Sequence, residues 1–258
     1  MTKSFIEIAK QACLASGEIQ MAHLGRVQQI DFKGEINLVT EVDRKCESEI
    51  VNLIQGEFPS HDILAEEGSG KRRDSEYKWI IDPLDGTTNY AHAYPLFCTS
   101  IALEHKGEIV MGAVYEPNRK EMFLAEKGSG ATVNGEKLQV SKTPDLKHSM
   151  LATGFAYNVA KAKENNLDHF QNFIFNSRAV RRDGVAAVDL CYTAMGRFDG
   201  FWELELFPWD VAAGFLIVEE AGGEVTDFSG HPFSVYSKEI VASNSKIHKA
   251  MVKVLRLK

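Results

Sequence analysis

The sequence predicts a layered protein of mixed α/β class, on three observations. Apolar residues recur at helical spacing near the N-terminus. Short apolar runs separated by turn residues fill Cys98–Val140, the pattern of an antiparallel meander. After Met150 strand-like and helix-like segments alternate.

Taken in order, the first helix is expected to start behind Ser4, which with Glu7 has capping-box spacing. Its buried stripe is Phe5, Ile8, Ala9, Ala12, Cys13 and Ile19. A second helix is expected from about Thr40, with Val42, Cys46, Ile50, Leu53 and Ile54 on one face and Phe58-Pro59 as its stop. Ile63-Leu64-Ala65 and Trp79-Ile80-Ile81 read as buried strands. Within the meander, turns are signalled at Lys106-Gly107, Pro117-Asn118, Gly128-Ser129-Gly130 and most strongly at Asn134-Gly135. Further on, Leu151–Thr153, Arg178–Arg182 and Ile240–Ala242 are expected strands. Asn165–Asn176, Ala186–Met195, Trp209–Ala221 and a segment after Asn244 are expected helices, with Gly196 and Gly222-Gly223 as stops. The pattern suits one unit over 1–258, built from an N-terminal half (1–148) and a C-terminal half (149–258).

A net charge of −7 over 258 residues disfavours a nucleic-acid or membrane-surface binder, so neither partner is expected. Cys13, Cys46, Cys98 and Cys191 stand far apart in apolar settings, which suits reduced buried thiols and gives no zinc spacing. The N-terminus lacks a signal-peptide apolar run and no segment reaches membrane-spanning length, so the cytoplasm is the expected compartment.

The chemistry concentrates in Trp79-Ile80-Ile81-Asp82-Pro83-Leu84-Asp85-Gly86-Thr87-Thr88-Asn89. An apolar strand runs into two carboxylates three residues apart, and Pro83 helps turn the chain so that both can face one place. The N–H groups of Gly86, Thr87 and Thr88 suit an anion, above all if a helix starts there. Carboxylates beside an anion cradle make electrostatic sense with divalent cations between the two. Alone, Asp-Pro more often makes a surface turn, though that explains less well why two turn signals directly follow a buried-looking strand. Glu66-Glu67 after an expected strand and Asp210 in Pro208-Trp209-Asp210 extend the acidic set. Singly, these read as a solvated loop start and as a charge complementing a helix dipole. Ser69-Gly70-Lys71-Arg72-Arg73 is no Walker motif, because Arg72 stands where Ser or Thr is required.

Asp82 to Asn89, with Glu66-Glu67, Lys33–Asp43, Arg182–Ala187 and Trp209–Ala213, resembles the inositol monophosphatase family over nearly the whole chain. The resemblance implies an αβαβα sandwich and a Mg²⁺-dependent phosphoric monoester hydrolase acting on inositol 1-phosphate. It further implies about two to three Mg²⁺ ions per site, lithium sensitivity and a homodimer. By position, Glu66, Asp82, Asp85, Asp210 and the Leu84 carbonyl would hold metal. Asp43 and Thr87, with Glu66, would activate the attacking water, and the Gly86 and Thr87 N–H groups would hold phosphate. Asp85, Ala186 and Glu203 would contact sugar hydroxyls, and Lys33 would steady a loop over the metals. Glu203 reads equally well as one polar position of an alternating strand.

Val185, Glu205 and Phe207-Pro208 depart from the family pattern in the substrate-facing half. Other substrates in view are fructose 1,6-bisphosphate and a 3′-phosphoadenosine nucleotide. A transcription-associated binding role belongs to another class, and a pure interaction protein has no need of the four acidic ligands together.

Overall fold

A computed structural model describes residues 4–26, 30–32, 38–163 and 165–257. Lys33 and its neighbours through Asn37 lie outside the described residues. Helix α1 (Phe5–His23) starts at the expected box, with Ser4 Oγ accepting from Glu7 N–H and the Glu7 carboxylate accepting from Ser4 N–H. Strands β1 (Ile30–Phe32) and β2 (Leu38–Thr40) form a small ribbon. Thr40 then caps helix α2 (Glu41–Glu57) through a reciprocal box with Asp43.

Next come β3 (Asp62–Ala65), β4 (Tyr77–Asp85), a short helix α3 (Thr87–Ala91), β5 (Cys98–His105) and β6 (Glu108–Glu116). With β7 (Glu121–Glu126), β8 (Gly130–Val133) and β9 (Glu136–Lys137) these strands form a seven-stranded sheet in sequence order. Only the β3–β4 pair is parallel among them. Asn134-Gly135 makes the expected tight turn, with Val133 opposite Glu136 and φ of 51° and 85° at the turn residues.

The chain continues through β10 (Met150–Thr153), α4 (Leu167–Asn176), β11 (Ala179–Arg181), α5 (Ala186–Ala194) and β12 (Gly200–Leu204). It closes with α6 (Pro208–Glu220), β13 (Glu224–Thr226), β14 (Glu239–Ser243) and α7 (His248–Leu255). The second sheet has the order β11-β10-β12-β14-β13. Helices α1 and α2 cover one face of the large sheet, α5 and α6 lie between the sheets, and α4 and α7 cover the outer face of the small one. The result is the expected αβαβα sandwich.

Strand alternation assigns the layers. Trp79 and Ile81 of β4 pack against α1 and α2, while Ile80 faces the core between the sheets. In β12 Phe201 faces that inner core and Trp202 the outer one. All four cysteines are free and buried.

Helix α4 begins at Leu167, two residues later than its pattern suggests, because Asn166 has other work. It adopts φ 67°, donates to Thr153 Oγ1 (2.9 Å) and the Gly154 carbonyl (2.7 Å), and accepts from Trp202 Nε1 (2.7 Å). Replacing Asn166 with Ala strands buried partners on β10 and β12, and is expected to cost about 2–4 kcal/mol of unfolding free energy in denaturant titration. A cost under about 0.5 kcal/mol would show that solvent replaces those bonds.

Candidate active site

The site grows from the end of β4. The strand stays extended through Asp85, with a register shift against β5 between Asp82 and Asp85 that re-aims the acidic pair. Asp82 Oδ1 accepts from Leu84 N–H at 3.0 Å, a local bond that turns its carboxylate along the chain. The intervening Pro83 carbonyl is gripped from below by Gln20 Nε2 at 2.8 Å and by the Ser16 and Thr99 hydroxyls at 3.2 Å each. Gly86 has φ +93°, and a Cβ there would stand 2.8 Å from Val185 Cγ2 and 3.2 Å from the Leu96 carbonyl. Helix α3 therefore starts at Thr87 with its first N–H groups lacking intrahelical acceptors.

The other groups arrive from separate elements. Thr87 Oγ1 donates to Asp43 Oδ1 of α2 at 3.0 Å and lies 3.1 Å from the Leu84 carbonyl. The second Asp43 oxygen accepts from Thr40 N–H (2.8 Å) and Thr40 Oγ1 (2.5 Å). Asp85 Oδ2 accepts from Ala187 N–H at the start of α5 (2.8 Å), and Asp210 Oδ2 accepts from Phe207 N–H at the start of α6 (2.7 Å). Asn89 ties α3 to the segment before α5, donating to the carbonyls of Leu96 (3.0 Å) and Asp183 (2.9 Å).

Glu66, Asp82, Leu84, Asp85, Gly86, Thr87, Ala186, Glu203 and Asp210 line one cavity of about 340 Å³. Asp43 is buried behind Thr87, its carboxylate tied to that hydroxyl. Of the site residues expected from sequence, only Lys33 lies outside the described residues. The surface-turn alternative for Asp82 fails on its 2 % exposure. Glu203 is likewise buried, its carboxyl packed on Gly154.

Four acids around one cavity repel. Burial, then the charges of Glu66, Asp85 and Asp210, hold the Asp82 carboxyl well above the usual carboxylate range. Burial and then Asp85 do the same to Asp210. Asp85 is also raised by burial, against the lowering pull of the Ala187 N–H. Burial, with a smaller contribution from Asp85, pushes Glu203 up to about 8. Among the described residues no three metal-ligating side chains are gathered tightly around one point. The donor set nonetheless fits a hard divalent cation: all are oxygens, and Asp82, Asp85 and Asp210 each have one oxygen anchored by a backbone N–H.

Two supporting residues escaped the sequence reading. Glu47 of α2, fully buried, accepts from Glu67 N–H (2.7 Å) and Ser69 N–H (2.8 Å), and so fixes the turn that presents Glu66. Gln20 is a buried polar position on the apolar stripe of α1. A carboxylate and an amide inside helical apolar stripes were the available signals; their partners are distant in sequence.

A profile described as the inositol monophosphatase family matches residues 1–257. The chain is 45 % identical over 255 residues to the inositol-1-monophosphatase of Synechocystis, covering 98 % of this chain and 89 % of the relative. It is 39 % identical to the putative Nus factor SuhB of Neisseria meningitidis, covering 97 % of each chain. It is also 39 % identical to the fructose-1,6-bisphosphatase/inositol-1-monophosphatase of Aquifex aeolicus, covering 98 % of this chain and 96 % of the relative. Among solved structures, inositol monophosphatase from Anabaena superposes with a TM-score of 0.89 at 41 % identity, over 97 % of this chain and 94 % of that one.

Fold and site thus define a phosphatase with an acid-lined cavity. The chain belongs to the inositol monophosphatase family.

Glu47→Ala frees the Glu66-Glu67 turn without touching the cavity wall. Phosphate release is expected to fall about tenfold or more. Unchanged release would show that Glu66 is held without Glu47.

Proposed function

We propose that this chain is a Mg²⁺-dependent phosphomonoesterase of small polyol phosphates, with inositol 1-phosphate as its leading substrate. The observation that carries the reading is the Thr87–Asp43 hydrogen bond at 3.0 Å, set beside the open N-terminus of α3 in a cavity walled by Glu66, Asp82, Asp85 and Asp210. Those four side chains and the Leu84 carbonyl would hold the metal. When bound, Mg²⁺ supplies charge neutralisation for phosphate and a lowered pKa for the attacking water.

The chain's own residues then do the following. Thr87 gives its hydroxyl proton to the Asp43 bond, which leaves its oxygen lone pairs to accept from a water. Asp43 is braced by both Thr40 groups, so Thr87 cannot turn away. The proton leaving that water passes to the Thr87–Asp43 pair, with Glu66 at the same cavity wall. The N–H groups of Gly86 and Thr87 orient phosphate oxygens. Asp85, Glu203 and the backbone at Ala186 accept from the hydroxyls of the leaving alcohol. Burial of all four cysteines removes them as nucleophiles, consistent with direct attack by water.

Fructose 1,6-bisphosphate is the second reading, favoured by the naming of the Aquifex relative. Phosphate release from inositol 1-phosphate, fructose 1,6-bisphosphate, 3′-phosphoadenosine 5′-phosphate and β-glycerophosphate, each with Mg²⁺ and with EDTA, tests both. Mg²⁺-dependent turnover led by inositol 1-phosphate is expected; release unaffected by EDTA would reject the mechanism.

Thr87→Val keeps the size of the side chain and removes the relay. A fall in kcat of about 10²–10⁴-fold is expected with KM little changed. Asp210→Asn keeps an acceptor for Phe207 N–H and removes one repelling charge. Without metal it is expected to melt higher than the unsubstituted chain, to gain little from Mg²⁺, and to lose turnover. A lower metal-free Tm would mean that the carboxylates do not repel in the folded state.

A further inference from the structure

Six carboxylates among the described residues line the cavity, and the proposed reaction uses all but one. Glu66, Asp82, Asp85 and Asp210 serve cations and Glu203 serves hydroxyls, which leaves Glu205. That residue stands at a costly place. Its φ is 63°, a left-handed conformation that brings a Cβ too close to the following carbonyl oxygen. A long charged side chain kept in such a backbone, at the wall of a site, calls for a functional reason.

The fold supplies Glu205 with a partner. Strands β12 and β14 pair antiparallel as far as Leu204 opposite Glu239, so Glu205 and Lys238 leave the sheet side by side. Glu205 N–H donates to the Lys238 carbonyl at 2.7 Å, and Lys238 Nζ pairs with Glu205 Oε2 at 3.3 Å. The same ammonium lies 4.9 Å from the centre of the Phe207 ring. Two residues upstream, Tyr236 Oη donates to Glu104, a buried carboxylate of β5 that also accepts from Lys78 Nζ at 2.8 Å. The segment that carries Lys238 is thereby tied to the large sheet.

The order of the two charges decides what an incoming molecule meets. Glu205 lines the cavity and Lys238 does not, so a substrate encounters the carboxylate first and the ammonium behind it. Arg182 is the one cation among the described lining residues, and the buried Glu203 and Asp189 lie in its field. A second anionic group, carried beyond the hydroxyls that Glu203 takes, is brought up against a like charge, which costs binding. Neutral hydroxyls meet no such penalty, since a carboxylate accepts from them.

Resting on the phosphatase reading, we propose that Glu205, held by Lys238, sets specificity against phosphate esters whose alcohol carries a second anionic group. Fructose 1,6-bisphosphate is then disfavoured by the rim of the cavity and not by the reacting centre.

The test compares kcat/KM, at one fixed free Mg²⁺ concentration, for fructose 1-phosphate and fructose 1,6-bisphosphate, which differ by the remote phosphate alone. It uses the unsubstituted chain, Glu205→Gln, Lys238→Met and the double variant. Glu205→Gln keeps the length of the side chain and is expected to raise the bisphosphate-to-monophosphate ratio about tenfold, because Lys238 is then free to attract the remote phosphate. Lys238→Met is expected to lower the ratio, because Glu205 loses its counter-charge, and the double variant should fall between the two. Opposite signs separate a charge effect from a structural one, since loosening the rim moves both variants the same way. Salt is a second readout. Rising ionic strength should raise the ratio in Lys238→Met and lower it in Glu205→Gln, as screening weakens repulsion in the first and attraction in the second. A ratio unchanged in Glu205→Gln, or shifted in one direction by both single variants, overturns the proposal and leaves the phosphatase reading standing. No Mg²⁺-dependent release from either ester or from inositol 1-phosphate removes that reading and the proposal with it.

Discussion

Burying several carboxylates around one cavity is the constraint on which the rest of this structure depends, because like charges in a poorly solvated place repel unless something holds each one. Here the backbone does the holding. Leu84 N–H takes one oxygen of Asp82, Ala187 N–H one of Asp85, and Phe207 N–H one of Asp210. Ala187 sits in the first turn of α5 and Phe207 is the N-cap of α6, the helices between the sheets, where partial positive charge from the helix dipole also favours an anion.

The same helices explain why the site needs both sheets. The large sheet supplies β4 and its acidic end, and the layer beyond supplies the donors that keep that end ordered. Asn89 adds a direct tie between α3 and the Asp183 carbonyl. From the opposite side, Gln20, Ser16 and Thr99 grip the Pro83 carbonyl, and Glu47 fixes the turn carrying Glu66. Polar side chains buried to serve backbone groups are a costly arrangement unless fully paired. Their concentration beneath residues 82–87 marks where the fold keeps rigidity.

Much of this is legible in the sequence. The capping box at Ser4, the Asn134-Gly135 hairpin and the apolar periods of α1 and α2 are local properties, set by near neighbours along the chain. The helical pattern around Asn166 does not carry over to that residue, because its partners Thr153 and Trp202 lie far off in sequence. The roles of Glu47 and Gln20 are hidden in the sequence for the same reason: nothing near them along the chain shows that a turn or a carbonyl comes to meet them. Glu203 was evenly balanced between site and strand until its burial against Gly154 placed it in the cavity wall.

The sequence by itself determined which chemistry is possible. Two carboxylates after a strand, a glycine and two threonines at the next turn, and acids at Glu66 and Asp210 are residue types that suit cations and phosphate, whatever the distances between them. Tertiary structure alone decided how those groups meet, and what else meets them. Hydrogen bonds and Coulomb repulsion act over a few ångströms of space, so their outcome rests on the packing of α5 and α6 between two sheets. Glu205 and Lys238 show this most clearly: they stand far apart in the chain, and only the pairing of β12 with β14 sets their charges side by side at the rim of the cavity.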